Sequence, residues 1–401
     1  MSDWLRDVFR GRPWWMNGLM VFSAYMAFVY VPWDLFAKPV AEDQEVWFGL
    51  LFEGWSAKLL ALPHWFVYGA AAYGFRRMRP WVPTWGALYV GQIAFGMAVW
   101  SIAQLGGLTG WLLGLISAVP FAFLAHALWS STEHFDRGRA KLRDRYGEWA
   151  LVTGASSGIG AEFARALARE GVSCVLSARR EDRLLALAAE LERLGVESRA
   201  VAGDLATREG QDGLLEAVAD LQIDILVNNA GVGYAGRFDL LDPERLRNQV
   251  ELNCVAPVVL SRHFAPGMRE RGRGALIFSG SVAGRQPLPL HGVYSATKAF
   301  DLLLGESLFC ELRDVGVDVV VLEPGSTETE FQSTAGELPH AGESPAEVAQ
   351  VALDALGDQP AVISGWWNWL RANLATRLLP RPLVLYVARD VVRSQTPREL
   401  L

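Results

Sequence analysis

Cysteine is scarce in this chain, with three among 401 residues: Cys174, Cys254 and Cys310. They stand in apolar surroundings without CxxC or Cys/His spacing, which argues against a disulfide framework or a zinc site and favours free thiols in a reducing compartment. A cleavable signal peptide is not recognisable either. Trp14 and Trp15 precede the first apolar run, and no small-residue cleavage site follows it.

Charge is also limited, at 20% of residues, and its net value of -7 lacks the basic excess of nucleic-acid-binding proteins. We therefore expect no nucleic-acid partner. Hydrophobic residues make up 51% of the chain and there are 16 tryptophans. This composition is apolar for a soluble protein, and the length suggests two or three domains, some of them in a membrane.

Long apolar runs fill the first 130 residues. Four of them are near the roughly 20 residues that a helix needs to cross a bilayer. They are residues 16–33, 57–75, 83–104 and 108–129. We predict an all-α transmembrane domain over residues 1–130. Residues 46–56 are also apolar and are left open as a re-entrant or interfacial helix.

The positions of the basic residues predict how the helices are oriented across the membrane. They precede the first span, separate the second from the third and follow the fourth: Arg6, Arg10, Arg12, Arg76, Arg77, Arg79, Arg137, Arg139, Lys141, Arg143 and Arg145. Four spans place all of them on one side, so the positive-inside rule puts both termini and the C-terminal domain in the cytosol, at the inner membrane if the chain is bacterial. Residues 131–147 form a basic juxtamembrane linker.

After residue 147 the pattern changes to strands alternating with helices. The predicted strands are 149–153, 172–177, 198–202, 223–228, 274–279 and 317–323, with helices at 161–170 and 181–194. Such alternation predicts a parallel, doubly wound α/β sheet of the Rossmann type over residues 148–330.

The loop over residues 154–160 follows a strand and opens a helix, which is the context that a dinucleotide site requires. Gly154 permits the tight turn, Gly158 lets the backbone approach a pyrophosphate, and Gly160 lets helix and strand pack closely. The helix N-terminus then offers free amides to the phosphates.

The second strand ends in Arg179 and Arg180, without the acidic residue that usually holds the ribose 2′-hydroxyl of NAD. Guanidinium groups suit a 2′-phosphate, so we expect NADP(H). The alternative is that both arginines are solvated charges at the start of a helix.

Tyr294 and Lys298 are four residues apart and share one face if the segment is helical, and Ser281 follows a strand. A nearby ammonium tunes a phenol as an acid or base, and a serine hydroxyl can hold a substrate carbonyl against it. Hydride would come from a nicotinamide. For the Tyr-x-x-x-Lys spacing alone, an ordinary surface helix is the alternative.

In these motifs the sequence resembles the classical short-chain dehydrogenase/reductase family over about residues 148–330. The resemblance rests on an ordered set: residues 153–160, Asp204-Leu205, residues 228–231, Asn253, Ser281, residues 294–298 and Pro324-Gly325.

The resemblance implies a role for each matching position. Ser281, Tyr294 and Lys298 would be catalytic, with Asn253 anchoring a water in the proton relay. The residues expected to bind the cofactor are Gly154, Ser156, Ser157, Gly158, Ile159, Gly160, Arg179, Arg180, Asp204, Leu205, Asn228, Ala230, Gly231, Tyr294, Lys298, Pro324, Gly325, Thr327 and Thr329. No metal is expected. A homodimer through the helices that carry Asn253 and Tyr294 would fit the family.

Residues 331–401 are expected to form a substrate lid, with a helix from about residue 344, and an apolar, amphipathic tail, which is either a lid or interfacial helix or else packs in the ordinary way on the sheet. Next to a membrane domain, they suggest a lipophilic carbonyl or alcohol: a long-chain 3-oxoacyl group, another lipid ketone, a steroid or a retinoid. We therefore predict a membrane-anchored NADP(H)-dependent oxidoreductase that contacts membrane lipid. The alternative is an NADP(H)-responsive regulatory domain attached to a transporter, sensor or scaffold.

Overall fold

The computed structural model describes residues 13–76, 78–79, 81–132, 135 and 141–401. The chain divides into two compact units, Met1–Arg139 and Ala140–Leu401. Part of the predicted linker at 131–147 lies outside the described residues. So do six of the basic residues on which the predicted orientation depends: Arg6, Arg10, Arg12, Arg77, Arg137 and Arg139. The orientation therefore stays a prediction.

Long helices dominate the first unit. They are α1 (Trp14–Tyr25), continued by a π-helical turn (Met26–Tyr30) and α2 (Val31–Phe36), then α3 (Trp55–Arg76), α4 (Trp81–Leu105) and α5 (Gly107–Trp129). In the described part of the chain, three helical stretches are long and apolar enough to cross a membrane: Trp14–Phe36, Trp81–Leu105 and Gly107–Trp129. The second predicted span, 57–75, is indeed helical, but Lys58 and His64 make α3 more polar than these three.

The apolar run at residues 46–56, which the sequence left open, is mostly a hairpin and not a helix, and it adds two short strands to the otherwise helical first unit. β1 (Gln44–Trp47) pairs antiparallel with β2 (Leu50–Glu53). Phe48 and Gly49 make the turn with φ of 50° and 85°, the two positive values of a tight hairpin turn. A Cβ at Gly49 would lie 2.4 Å from Val99 Cγ1, so this turn packs against α4 only because the residue is glycine.

Buried charges beside the hairpin are all paired. Lys58 Nζ lies 3.2 Å from Asp43 Oδ2. Lys38 Nζ lies 2.7 Å from Asp43 Oδ1 and 3.1 Å from Asp34 Oδ1. Each ammonium therefore has a carboxylate partner, as buried ions require.

The second unit is built on a parallel sheet of seven strands in the order β5-β4-β3-β6-β7-β8-β9. The strands are β3 (Trp149–Thr153), β4 (Ser173–Ala178), β5 (Ser198–Ala202), β6 (Ile223–Asn228), β7 (Gly274–Ser279), β8 (Val317–Glu323) and β9 (Ala361–Ile363). The strand order reverses between β3 and β6, and α/β proteins bind ligands at such a point. The predicted doubly wound fold is confirmed.

Helices cover both faces of this sheet. They are α6 (Leu142–Tyr146), α7 (Gly158–Arg169), α8 (Glu181–Glu192), α9 (Arg208–Ala217), α10 (Pro243–Val250), a π-helical turn (Glu251–Val255), α11 (Ala256–Arg271) and α12 (Gly292–Arg313). One hydrophobic layer packs α7 and α8 on the sheet through Phe163 and Leu184, and the other packs α11 and α12 through Leu260 and Leu302. With both faces covered, the carboxyl edge of the strands is left for a site.

The chain after β8 is largely helical. Its helices are α13 (Phe331–Ala335), α14 (Pro345–Ala355), α15 (Trp366–Leu370), a π-helical turn (Arg371–Ala375), α16 (Thr376–Leu378) and α17 (Arg381–Gln395). The predicted helix near residue 344 is confirmed, with Ser344 preceding Pro345. The Leu338 amide donates to Gln395 O at 2.8 Å, which ties the lid region to the end of α17.

Candidate active site

A cavity of about 730 Å³ opens at the carboxyl edge of the sheet, between the strand ends and the C-terminal helices. Most of the predicted site residues line it: Gly154, Ser156, Ser157, Gly158, Ile159, Arg179, Arg180, Asp204, Leu205, Ala230, Gly231, Ser281, Tyr294, Lys298, Pro324, Gly325, Thr327 and Thr329. Gly160, Asn228 and Asn253 are not in its wall. The fold thus gathers in one cavity residues that are far apart in sequence.

The glycine loop forms one end of the cavity. Gly158, with φ of 56°, begins the 12-residue helix α7. A Cβ on Gly160 would lie 2.3 Å from the Gly154 carbonyl oxygen, so helix and strand approach as closely as the sequence predicts. The amides at the start of α7 are thereby available to an anion.

Arg180 lies over this loop. Its guanidinium donates to Ser156 Oγ and Ser157 Oγ, both at 2.9 Å, and to Glu330 Oε2 at 2.7 Å. Arg183 donates to the other oxygen of Glu330 at 2.6 Å. These arginines lower the pKa of Glu330 to about 2, so Glu330 is an anion held beside the glycine loop. Arg179 also lines the cavity but is exposed.

Asn229, rather than Asn228, reaches the cavity. Its amide nitrogen donates to the Thr153 carbonyl at 3.0 Å, and its amide oxygen accepts from Ser279 Oγ at 3.2 Å. These bonds fasten the ends of β3, β6 and β7 together. Asn228 instead donates to Ser261 Oγ of α11 at 3.0 Å, so its side chain connects β6 to α11 outside the cavity.

Ser281, Tyr294 and Lys298 meet in the middle of the cavity. Ser281 follows β7, where its hydroxyl accepts from the Ala283 amide at 3.1 Å. Burial raises the pKa of Tyr294 above its ordinary value, although the Lys298 ammonium and the Ser281 hydroxyl act to lower it. Tyr294 therefore keeps its proton at neutral pH, as a proton donor must.

Lys298 is buried and held at two points. Its ammonium donates to the Ser279 carbonyl at 2.6 Å and lies 3.0 Å from Asp301 Oδ2. Burial would lower the pKa of Lys298, but the Asp301 carboxylate and Tyr294 raise it above its ordinary value. No motif pointed to Asp301, although its position three residues after Lys298 on one helix was a usable signal.

Asn253 lies behind this group, within the π-helical turn. Its side chain accepts from the Val232 amide at 3.0 Å and donates to the Val232 carbonyl at 2.9 Å. It also donates to Thr297 Oγ1 at 3.0 Å. Asn253 is completely buried, and these bonds fix the loop after β6 against α12.

Two further side chains that the sequence analysis missed surround Tyr294. The Phe331 ring of α13 lies 5.2 Å from the Tyr294 ring, centroid to centroid. Glu337, which lines the cavity, places Oε1 3.0 Å from Nε2 of the buried His291. Both come from the lid region, where their placement depends on tertiary packing and not on a local pattern.

The far end of the cavity is apolar. The side chains there that follow β9 in the chain are Ala372, Leu379, Val384, Val387, Ala388, Val391 and Val392. Asn368 and Arg371 of the same region are polar and face the same cavity. The cavity therefore has one end at the glycine loop and Arg180, a centre with Ser281, Tyr294 and Lys298, and a largely hydrocarbon end.

Comparison with known proteins matches residues 148–338 to the short chain dehydrogenase family. The human very-long-chain 3-oxoacyl-CoA reductase is 37% identical over 183 residues, covering 44% of this chain and 59% of the human protein. The Anas platyrhynchos protein of the same name is 31% identical over 232 residues, covering 56% and 72% of the two chains. A short-chain dehydrogenase from Sphingobium yanoikuyae in complex with NADPH superposes with a TM-score of 0.52, at 34% identity, covering 58% of this chain and 96% of that one.

Proposed function

Because this chain belongs to the short-chain dehydrogenase family and is an oxidoreductase of CH–OH and C=O groups, we propose that it uses NADPH to reduce a long-chain lipid ketone to a secondary alcohol. The observation that carries the proposal is the single cavity. It joins the Arg180 site, the Ser281–Tyr294–Lys298 group and an apolar end. This chain covers 59% of the length of the human relative. That a 3-oxoacyl group is also the substrate here is therefore part of the proposal.

The residues present fit a dinucleotide with a 2′-phosphate. Positive φ at Gly154 and Gly158 leaves a cradle at the start of α7. Ser177, at the end of β4, has a buried hydroxyl oxygen without a hydrogen-bond partner among the described residues. Arg180 adds a guanidinium next to two serine hydroxyls. An anion in this place would satisfy all of these donors.

When bound, the reduced nicotinamide would supply hydride to the carbonyl carbon. Ser281 would hold the carbonyl oxygen, and Tyr294 would donate its phenolic proton to that oxygen as negative charge develops. The raised pKa of Tyr294, caused mainly by burial, suits a donor that must be protonated at neutral pH. Lys298, still charged because of Asp301, would stabilise the phenolate that remains.

We place the enzyme in a membrane, with three apolar helical stretches as the anchor and the catalytic unit in the cytosol. Apolar side chains at the far end of the cavity suit an alkyl chain, which favours a 3-oxoacyl or similar lipid ketone over a small polar carbonyl. Substrates of this kind partition into bilayers, so an anchored enzyme meets them where they are concentrated.

The test is NADPH oxidation by the full chain in nanodiscs, with 3-oxoacyl thioesters and methyl ketones of graded chain length. We expect kcat/KM to rise with chain length, and Tyr294→Phe to lose roughly 100-fold or more in kcat while still binding NADPH. A preference for short ketones would overturn the lipid assignment. NADPH binding without turnover on any ketone would favour the regulatory alternative.

A further inference from the structure

Large apolar side chains are exposed on the helices that follow β9 and on the connection between the last two of them. We call this set the tail face: Trp366, Trp367, Trp369, Leu378, Leu379, Leu383, Tyr386, Val387 and Val391. Trp366 is 64% exposed and Leu378 70%. Soluble surfaces expose such residues singly, whereas a concentration of them on consecutive helices marks an interaction surface.

α17 carries more apolar surface than the catalytic unit buries. Val384, Ala388 and Val392 recur every four residues and are buried against the catalytic unit. Leu383, Val387 and Val391 form a second stripe with the same spacing and remain exposed. The stripes adjoin, because positions one residue apart differ by about 100° around a helix. Half of the apolar arc of α17 is therefore uncovered.

The residues around the tail face carry a net positive charge. Residues 366–395 carry five arginines and one acidic residue, Asp390, in a chain whose net charge is -7. The exposed arginines are Arg371, Arg377, Arg381, Arg389 and Arg393. Tryptophan, tyrosine and aliphatic side chains flanked by arginine are the composition of a helix that lies in the headgroup region of an anionic bilayer. About ten residues of sequence separate the last candidate span, which ends at Trp129, from the catalytic unit.

The cavity opens at this surface. Leu379, Val387 and Val391 of the tail face also line the cavity. We infer that the tail face lies in the interfacial layer of an anionic bilayer, so that a lipid ketone enters the active site directly from the leaflet. The identity of the substrate in this inference rests on the proposed function. The docking of the tail face on a bilayer is independent of it.

The test of docking uses the full chain in nanodiscs and spin labels on single cysteines. With Cys254→Ala and Cys310→Ser as background and the buried Cys174 retained, one label replaces Trp369. A matched label replaces Leu185 of α8, and both native side chains are 55% exposed. In discs of phosphatidylcholine with phosphatidylglycerol, we expect the label at 369 to be accessible to oxygen and protected from a water-soluble nickel complex. The label at 185 should show the reverse.

Equal nickel accessibility at the two positions would overturn the inference. So would protection at 369 that persists in detergent and grows with protein concentration, since that result would indicate a second copy of the chain as the occupant. This measurement does not use turnover. A failure of ketone reduction would therefore count against the proposed function, and the accessibility measurement would still test the docking.

A charge reversal adds a functional readout. Each arginine near an anionic surface contributes about 1 kcal/mol, or roughly fivefold in binding. Arg377→Glu with Arg381→Glu removes about 2 kcal/mol of this attraction, so kcat/KM should fall roughly 30-fold or more for a long-chain ketone held in anionic discs, and a short soluble ketone should be unaffected. Arg273→Glu, an exposed reversal at the opposite edge of the sheet, is the control. Equal losses on both ketones, or the same loss with Arg273→Glu, would overturn direct entry from the leaflet.

Discussion

Asp301 and Lys298 form a buried ion pair one helical turn apart, with 3.0 Å between Oδ2 and Nζ. The other oxygen of Asp301 has no hydrogen-bond partner among the described residues. Burial raises the pKa of Asp301, and Lys298 opposes that rise. The pair holds the ammonium near Tyr294, so we expect the carboxylate to act as a positioning residue for Tyr294.

Asp301→Asn should therefore shift the pH profile of ketone reduction. Without the carboxylate, the pKa of Lys298 falls, and so does that of Tyr294, which Asp301 now raises. Reduction needs a proton, so the alkaline limb of kcat/KM should move to lower pH. Asp314→Asn, at the exposed C-terminal end of the same helix, should leave the profile unchanged. An unmoved alkaline limb in Asp301→Asn would refute this coupling.

A second prediction concerns cofactor choice. Arg180 is the arginine that the structure fixes against Ser156 and Ser157, whereas Arg179 is exposed. Arg180→Gln should weaken NADPH binding by roughly 10- to 100-fold, the value of one or two charge-assisted hydrogen bonds, and change NADH binding little. Arg179→Asp should also move the preference toward NADH. The ratio of kcat/KM for the two cofactors measures both. A ratio unchanged in Arg180→Gln would exclude this residue as the reader of the 2′-phosphate.

Sequence patterns predicted most of the catalytic fold. Strands such as Ile223–Asn228 and Gly274–Ser279 were predicted with the bounds that the structure shows, because each is a short apolar run between turn residues. The three-residue strand Ala361–Ile363 was not predicted. It has too few residues to show a period and is a strand only because it adds to the edge of β8.

The hairpin of the first unit was missed for a different reason. Its strands are rich in apolar residues and stand among predicted transmembrane runs, so a re-entrant or interfacial helix was left open for them. The informative signal was Gly49 at the second position of a two-residue turn. In the candidate site, motifs identified many of the residues that line the cavity but not those of the lid region and C-terminal helices. The contact between Arg180 and Glu330 spans 150 residues and could not be read from local spacing.

That contact supports a third prediction. Glu330 is exposed and ionised, and it uses the Arg180 guanidinium that a 2′-phosphate would need. Glu330→Gln should free Arg180 and remove a competing negative charge, and so lower the Kd of NADPH about two- to fivefold, as expected for an exposed ion pair. NADH affinity should not change. Glu347→Gln, on the surface of α14, is the control. Weaker NADPH binding in Glu330→Gln, measured by fluorescence titration, would mean that Glu330 helps to build the site instead of competing for it.

The last prediction compares one substitution at two helical glycines. At Gly160 a methyl group would lie 2.3 Å from the Gly154 carbonyl oxygen, so Gly160→Ala must push α7 away from β3. Overpacking of this kind costs about 1–3 kcal/mol, and here it also distorts the phosphate-binding loop. We expect a lower Tm and a loss of NADPH affinity. At Gly213, inside α9, a methyl group meets nothing within 4 Å, so Gly213→Ala should raise stability by up to about 1 kcal/mol through helix propensity and leave NADPH binding unchanged. Thermal unfolding and NADPH titration of both variants check the pair, and similar behaviour of the two would contradict the close approach of α7 to the glycine loop.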